Sequence, residues 1–279
     1  MRTGAVFRHG TLCALALLGL QACSNGGSRA EAPTVASATA DRGESLARMA
    51  DDAAARGDMT TALAFYRQAA LAASNGADGN AAGPMLMYGN ALMAVGAYDQ
   101  AGGAFRRVVE REPENAQALV GLGSADLALG KSTEAADLLQ RVIARHPEDL
   151  RARRNLGVAL DLAGRHAEAQ AAYREGLGRS PDDEDLKADL ALSLALAGDA
   201  GQSVALIREV AASPFAEPRH LRNAVLVLSL AGQDQEAQRL AERRLPADTA
   251  RQLMARIQTL KTKETAQDRT AAIGFEVGG

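Results

Sequence analysis

The sequence predicts an all-α solenoid of stacked, antiparallel helix pairs, and three observations predict it. Residues 116–149 read AQALVGLGSADLALGKSTEAADLLQRVIARHPED without their flanking turn, and residues 150–183 repeat the same pattern as LRARRNLGVALDLAGRHAEAQAAYREGLGRSPDD. The landmark pairs Gly123/Gly157, Gly130/Gly164, Ala135/Ala169 and Pro147/Pro181 all stand 34 residues apart. Alanine and leucine supply most of the apolar content, 47% of the chain, while aromatics make up 3% and Trp is absent, so long helices rather than strands carry the pattern. A fixed period with matched landmarks means one supersecondary unit repeated along an axis.

Each landmark has a physical role in a helix–turn–helix unit. Gly123 and Gly157 fall inside apolar helical patterns, where glycine costs stability unless another helix must approach closely. Gly130 and Gly164 end the first helix, where a residue able to take positive φ is needed. Ala135 and Ala169 are small where the second helix crosses the first, so a bulky side chain at Ala135 or Gly157 is expected to damage the fold. Pro147 and Pro181 follow a second helix that they cannot continue. With Leu119, Leu122 and Leu139 at the large apolar positions, the units resemble the tetratricopeptide repeat. The resemblance implies a right-handed superhelix whose first helices line a concave face.

The same register divides the chain into six units, 43–80, 82–115, 116–149, 150–183, 184–217 and 218–246. The first is followed by the turn-rich link Asn75-Gly76-Ala77-Asp78-Gly79-Asn80, and the fifth carries Ser203 in place of the small alanine. Beyond the repeats of 43–246, residues 247–260 predict a capping helix begun by Asp248, with Leu253, Met254, Ile257 and Leu260 covering the open apolar end. Residues 261–279 read as a flexible tail, with Ile273 and Phe275 its large apolar residues.

Ahead of the repeats, residues 1–22 read as a leader: Arg2 and Arg8 precede the apolar run LCALALLGLQA, which is short for a membrane span. Leu20-Gln21-Ala22-Cys23 resembles a bacterial lipobox, which implies lipidation at Cys23 and, with Ser24 after it, sorting to the outer membrane. An ordinary signal peptide cut near Ala22 is the alternative. Residues 23–42 are rich in Ser, Gly and Ala and read as a disordered tether. Cys13 lies in the leader, so the mature chain would hold no cysteine pair for a disulfide. Losing Arg2 and Arg8 with the leader takes the net charge from −3 to −5, which offers nucleic acid no basic stripe.

No catalytic, cofactor or metal constellation emerges. His9, His146, His166 and His220 lack cysteine partners and ligand spacing. The acidic run Asp182-Asp183-Glu184-Asp185 sits where two units meet and reads as helix N-terminal charge. The expected functional surface is the face of the first helices, with Asn90, Met93, Leu127, Arg151, Arg154, Val158 and Arg222 pointing outward from the packed layer. Two readings of that face stand side by side: a solvated polar surface, or a groove for a protein partner bearing acid groups. Arg151 and Arg154 are expected to lie outside the packing set.

Lipobox, linker and six repeats together, with Arg154–Leu177 (RNLGVALDLAGRHAEAQAAYREGL) the strongest local echo, resemble the TadD family of tetratricopeptide lipoproteins of the tight-adherence (Flp) pilus system. That resemblance implies a non-enzymatic outer-membrane lipoprotein facing the periplasm, which binds protein components of the pilus machine and helps assemble or place its secretin. The alternative is a scaffold of another envelope complex, such as one for outer-membrane protein assembly or peptidoglycan synthesis.

Overall fold

Helices pair in sequence because each buries one apolar stripe on the next, and the turns between them are too short for anything but a reversal. The computed structural model describes residues 35–74 and 82–263, all within one compact unit of the chain. Among the described residues there are thirteen helices and no strand. They are α1 (Val35–Ala55), α2 (Met59–Ser74), α3 (Ala82–Ala94), α4 (Tyr98–Arg111), α5 (Ala116–Ala128), α6 (Ser132–Arg145) and α7 (Leu150–Leu162). The series continues with α8 (His166–Leu177), α9 (Glu184–Leu196), α10 (Ala200–Ala212), α11 (Pro218–Leu230), α12 (Asp234–Arg244) and α13 (Ala247–Lys261). The molecule is an all-α tetratricopeptide-type solenoid, with odd-numbered helices as the first (A) and even-numbered helices as the second (B) member of each pair through α12.

The A-to-B turns are built alike. Gly130 has φ of 77°, and its conformation lets the N–H of Lys131 reach back to the carbonyl of Asp126 at 2.8 Å. The same six-residue closure recurs after every A helix of the six pairs, from Asp58 bonded to Ala53 through Gln233 bonded to Leu228. This satisfies carbonyls that a helix end otherwise leaves open. At the other end, Asn115, Asp149 and Asp183 accept the N–H of Ala118, Ala152 and Leu186 at 2.8–2.9 Å and start α5, α7 and α9.

Close packing in the second, third and fourth pairs depends on glycine. Phe105 of α4 slots between Gly89 of α3 and Gly121 of α5; a Cβ at either glycine would stand 2.6 Å from its ring. One period on, a Cβ at Gly123 would meet Leu139 at 3.1 Å, and another period on Gly157 faces Tyr173. In the next two units the same positions hold Ala191 with Ile207 and Val225 with Ala241, all buried. Large partners sit opposite glycine and small ones opposite valine, so the summed volume is kept while its division between the helices changes. Ser203 is fully buried at the alanine position, and its hydroxyl donates to the carbonyl of Ala200 at 3.1 Å.

Two expectations about the ends change. Helix α1 begins at Val35, inside the stretch 23–42 expected to be tether. Helix α13 starts at Ala247, so Asp248 lies in its first turn and pairs with Arg251 instead of capping it. Ile257 and Leu260 of α13 are buried against the last core, with Leu253 and Met254 beside them. The leader, Cys23, the link 75–80 and the tail beyond residue 263 lie outside the described residues.

Candidate protein-binding surface

Successive A helices touch one another, α3 on α5, α5 on α7, α7 on α9 and α9 on α11, whereas successive B helices make no comparable contact. The A row is therefore the shorter, inner side of the stack, and one residue per period from each A helix falls into line along it. One line runs Gln117, Arg151, Asp185, Arg219, and the next Leu86, Val120, Arg154, Ala188, Arg222. A third runs Asn90, Ser124, Val158, Leu192, Leu226, and a fourth Met93, Leu127, Asp161, Ala195, Ser229.

The seven residues expected on this face share these lines but not the same surroundings. Asn90 and Arg151 are exposed, and Met93 and Arg222 are half-buried. Leu127 and Val158 are buried, at 4% and 6% exposure, within the central hydrophobic cluster, so their expected outward position is corrected. The reason lies in the neighbours: A helices in mutual contact enclose apolar side chains that one helix pair alone would leave open. Arg154 is corrected too. Its Nε donates to Asp189 at 2.6 Å and a terminal nitrogen lies 3.3 Å from Asp185, which makes it part of the packing.

Arg154 belongs to a polar seam that the periodic reading missed. Asp185 of α9 accepts from Nε of Arg219 at 3.0 Å and from His220 at 2.8 Å, both on α11. Nδ1 of His220 accepts the backbone N–H of Glu217 at 3.1 Å, so Nε2 carries the hydrogen that goes to Asp185. Three A helices, α7, α9 and α11, are thus tied through one carboxylate. Burial alone pushes the Asp185 carboxyl up, but the His220 bond and the charges of Arg154 and Arg219 outweigh it and hold it below the usual carboxylate range. Asp189 has no such surplus of partners: burial pushes it up, with Arg154 opposing.

A second node centres on Asp161, which has no exposed surface. Its Oδ1 takes bonds from Ser193 Oγ and His166 Nδ1, each at 2.7 Å, and its Oδ2 takes Tyr173 OH at 3.1 Å. Burial raises this carboxyl against the pull of His166 and Ser193. Serine, histidine and aspartate meet here, but both partners address the same carboxylate oxygen and Ser193 is fully enclosed. A nucleophile needs its hydroxyl on the base and open to substrate. The node is a structural junction between α7, α8 and α9. Nearer the N-terminus, Asn155 donates to Ser124 Oγ at 2.8 Å, joining α7 to α5. Among the described residues no cluster of three His, Cys, Asp or Glu could hold a metal ion.

The sequence did hold a signal for the seam. Asp161 falls at a position held by Met93, Leu127 and Ala195 in other units, Asp189 aligns with the polar Asn155 and Asn223, and Asp185 sits one period before Arg219. A charged residue on a buried register needs a partner, and partners one period away share the same face.

A row of A helices closed by glycine turns, each backed by a B helix through a small-residue crossing, is the all-α tetratricopeptide-repeat solenoid fold. Residues 86–125 and 123–184 match the tetratricopeptide repeat family. Among solved structures, a tetratricopeptide repeat protein from Parabacteroides merdae superposes with a TM-score of 0.64 at 14% identity, covering 85% of this chain and 91% of its own. MamA from Desulfovibrio magneticus RS-1, residues 41 to the end, gives 0.54 at 21% identity, with 61% and 93% covered. A thermophilic repeat protein of Thermus thermophilus gives 0.51 at 16%, with 72% and 97% covered. At these identities the likeness is one of fold. No match to this chain was found among curated proteins.

Proposed function

We propose that this protein is a scaffold that holds a protein partner along the row of A helices, working as a lipid-anchored assembly factor of the tight-adherence (Flp) pilus system. The observation that carries the binding reading is the inner face itself. Arg151 stands exposed on α7, which the Arg154–Asp185–Arg219 seam ties to α9 and α11, and Asn90 stands exposed on α3 further along the same row, so the partner meets a preformed surface. Met93 adds apolar area, and Arg151 offers a carboxylate a two-pronged donor.

The anchor and the pilus system rest on the lipobox-like Leu20–Cys23 run and on the resemblance to TadD lipoproteins. Attachment in this reading is through lipid on Cys23 at the periplasmic side of the outer membrane. Site-specific photo-crosslinkers replacing Asn90 and Arg151 in cells test the whole reading. Adducts with the secretin or another pilus component are expected. Adducts confined to outer-membrane assembly or peptidoglycan-synthesis proteins would move the scaffold to another envelope machine. A Cys23→Ser chain that still fractionates with membrane would remove the lipid anchor from the account.

A further inference from the structure

We propose that the cleft between α10 and α12, on the outer side of the stack, binds a short acidic peptide segment carrying apolar side chains. The cleft has a volume of about 450 Å³, with Ala211, Leu228 and Leu240, all packed in or against the last core, on its floor and the exposed Arg239, Arg243 and Arg244 on its rim. All three rim arginines are exposed, and among the described residues none of them forms an ion pair. The carboxylate at hand, Glu236, is already engaged by Arg208, Nε to Oε1 at 2.9 Å and the second nitrogen on Oε2. Arg239 also acts on Glu236 through space, yet four arginines, Arg208, Arg239, Arg243 and Arg244, line the recess against that single carboxylate in a chain of net charge −3.

The register shows that the fold itself does not ask for this. In the two preceding units the position of Arg243 is held by glutamate, and each glutamate pairs with a base on its own A helix: Glu175 with Arg153, Glu209 with Lys187. One period further the base is replaced by Leu221 and the glutamate by Arg243. The internal pair is gone and the outer charge is reversed. Two C-terminal arginines on α12 would satisfy the helix dipole, but Arg239 lies a turn earlier and gains nothing from it.

The shape selects the occupant. A flat lipid headgroup layer would meet the arginine tips and leave the recessed Leu240 uncovered. A peptide can send a leucine to the floor while its carboxylates take the guanidinium forks. The inference is independent of the inner-face reading, because none of these residues lies on the A row apart from the buried back of Leu228.

The test is fluorescence anisotropy of the full chain in detergent with a labelled peptide, acetyl-Glu-Leu-Asp-Glu-Leu-Asp-Glu, at about 0.15 M salt, where distant charges are screened. R239E/R243E/R244E should weaken binding at least about tenfold. R106E/R174E, on the outer helices α4 and α8, should leave it unchanged. Replacing both leucines of the probe by serine should also weaken it. Should the triple variant melt early, R239E alone, away from the helix end, carries the test with an expected loss of about threefold. Binding equal in wild type and variant overturns the proposal, as does a serine probe that binds equally well. Capture of phosphatidylglycerol vesicles without the peptide overturns it in favour of a membrane surface. R151E, which tests the inner face, should leave the probe bound, so the two readings fail separately.

Discussion

Gly157 of α7 packs against the ring of Tyr173 of α8, and a Cβ at this glycine would overlap one side of that ring. Tyr173 is fully buried and its hydroxyl is held by Asp161 at 3.1 Å, so the ring has nowhere to retreat. Gly157→Ala should lower stability by about 1–3 kcal/mol, the usual cost of overpacking. The fifth unit pairs Ala191 with Ile207 at the same positions. Gly157→Ala combined with Tyr173→Ile should therefore recover part of the loss, and urea melts of the four chains measure the coupling. Equal losses in single and double variants would mean that the ring contact is not the constraint.

Asp189 is 3% exposed and its Oδ2 sits 2.6 Å from Nε of Arg154, joining α7 to α9. Arg154→Ala leaves that carboxylate enclosed without its partner. The expected cost is at or below about 3–5 kcal/mol, because 22% of the Arg154 side chain keeps contact with water. Replacing both by apolar residues, Arg154→Met with Asp189→Leu, should be milder than either single change. Thermal melts decide this, and a neutral Arg154→Ala would show the bond to be incidental.

The two kinds of carboxylate in the seam respond to acid with opposite sign. Asp185 is held below the usual carboxylate range, so its stabilisation is present above about pH 3.9 and lost as pH falls through its lower folded value. Asp161 is raised, so the folded chain takes its proton first. Its contribution is present below about pH 3.9 and lost as pH rises through the raised value. Urea midpoints at pH 7 and pH 3 should therefore differ less in Asp185→Asn than in wild type, and more in Asp161→Asn. Parallel shifts in the two variants would contradict this assignment.

Asp149 starts α7 by accepting the N–H of Ala152 at 2.8 Å. Asp149→Ala should cost about 1 kcal/mol, while Asp149→Ser should cost only a few tenths. A guanidinium titration of the three chains reads this directly.

How much of this was legible beforehand follows the physics of each residue. Gly130, Gly164 and Ala135 were readable because turn chirality and a crowded crossing exclude most other residues at those positions. Asp183, which the sequence reads as helix N-terminal charge, is the N-cap of α9 and accepts the N–H of Leu186. Asp185, two residues on, belongs by sequence to the same helix-start charge, yet it bonds residues 34 and 35 positions away. Leu127 and Val158 looked outward because a period of 3.6 describes one helix and its partner, and says nothing of the next A helix.

The sequence by itself determined the period, the helix pairs, the turns and the small-residue crossings, because these are set by φ preferences and by volume within one unit. Tertiary structure alone decided which side chains of the A row stay open, and it turned Arg154 from a free cation into the bridge to Asp189 and Asp185. Burial and ion pairing depend on the distance between units. That distance comes from the angle at which one unit stacks on the next, which no single unit encodes.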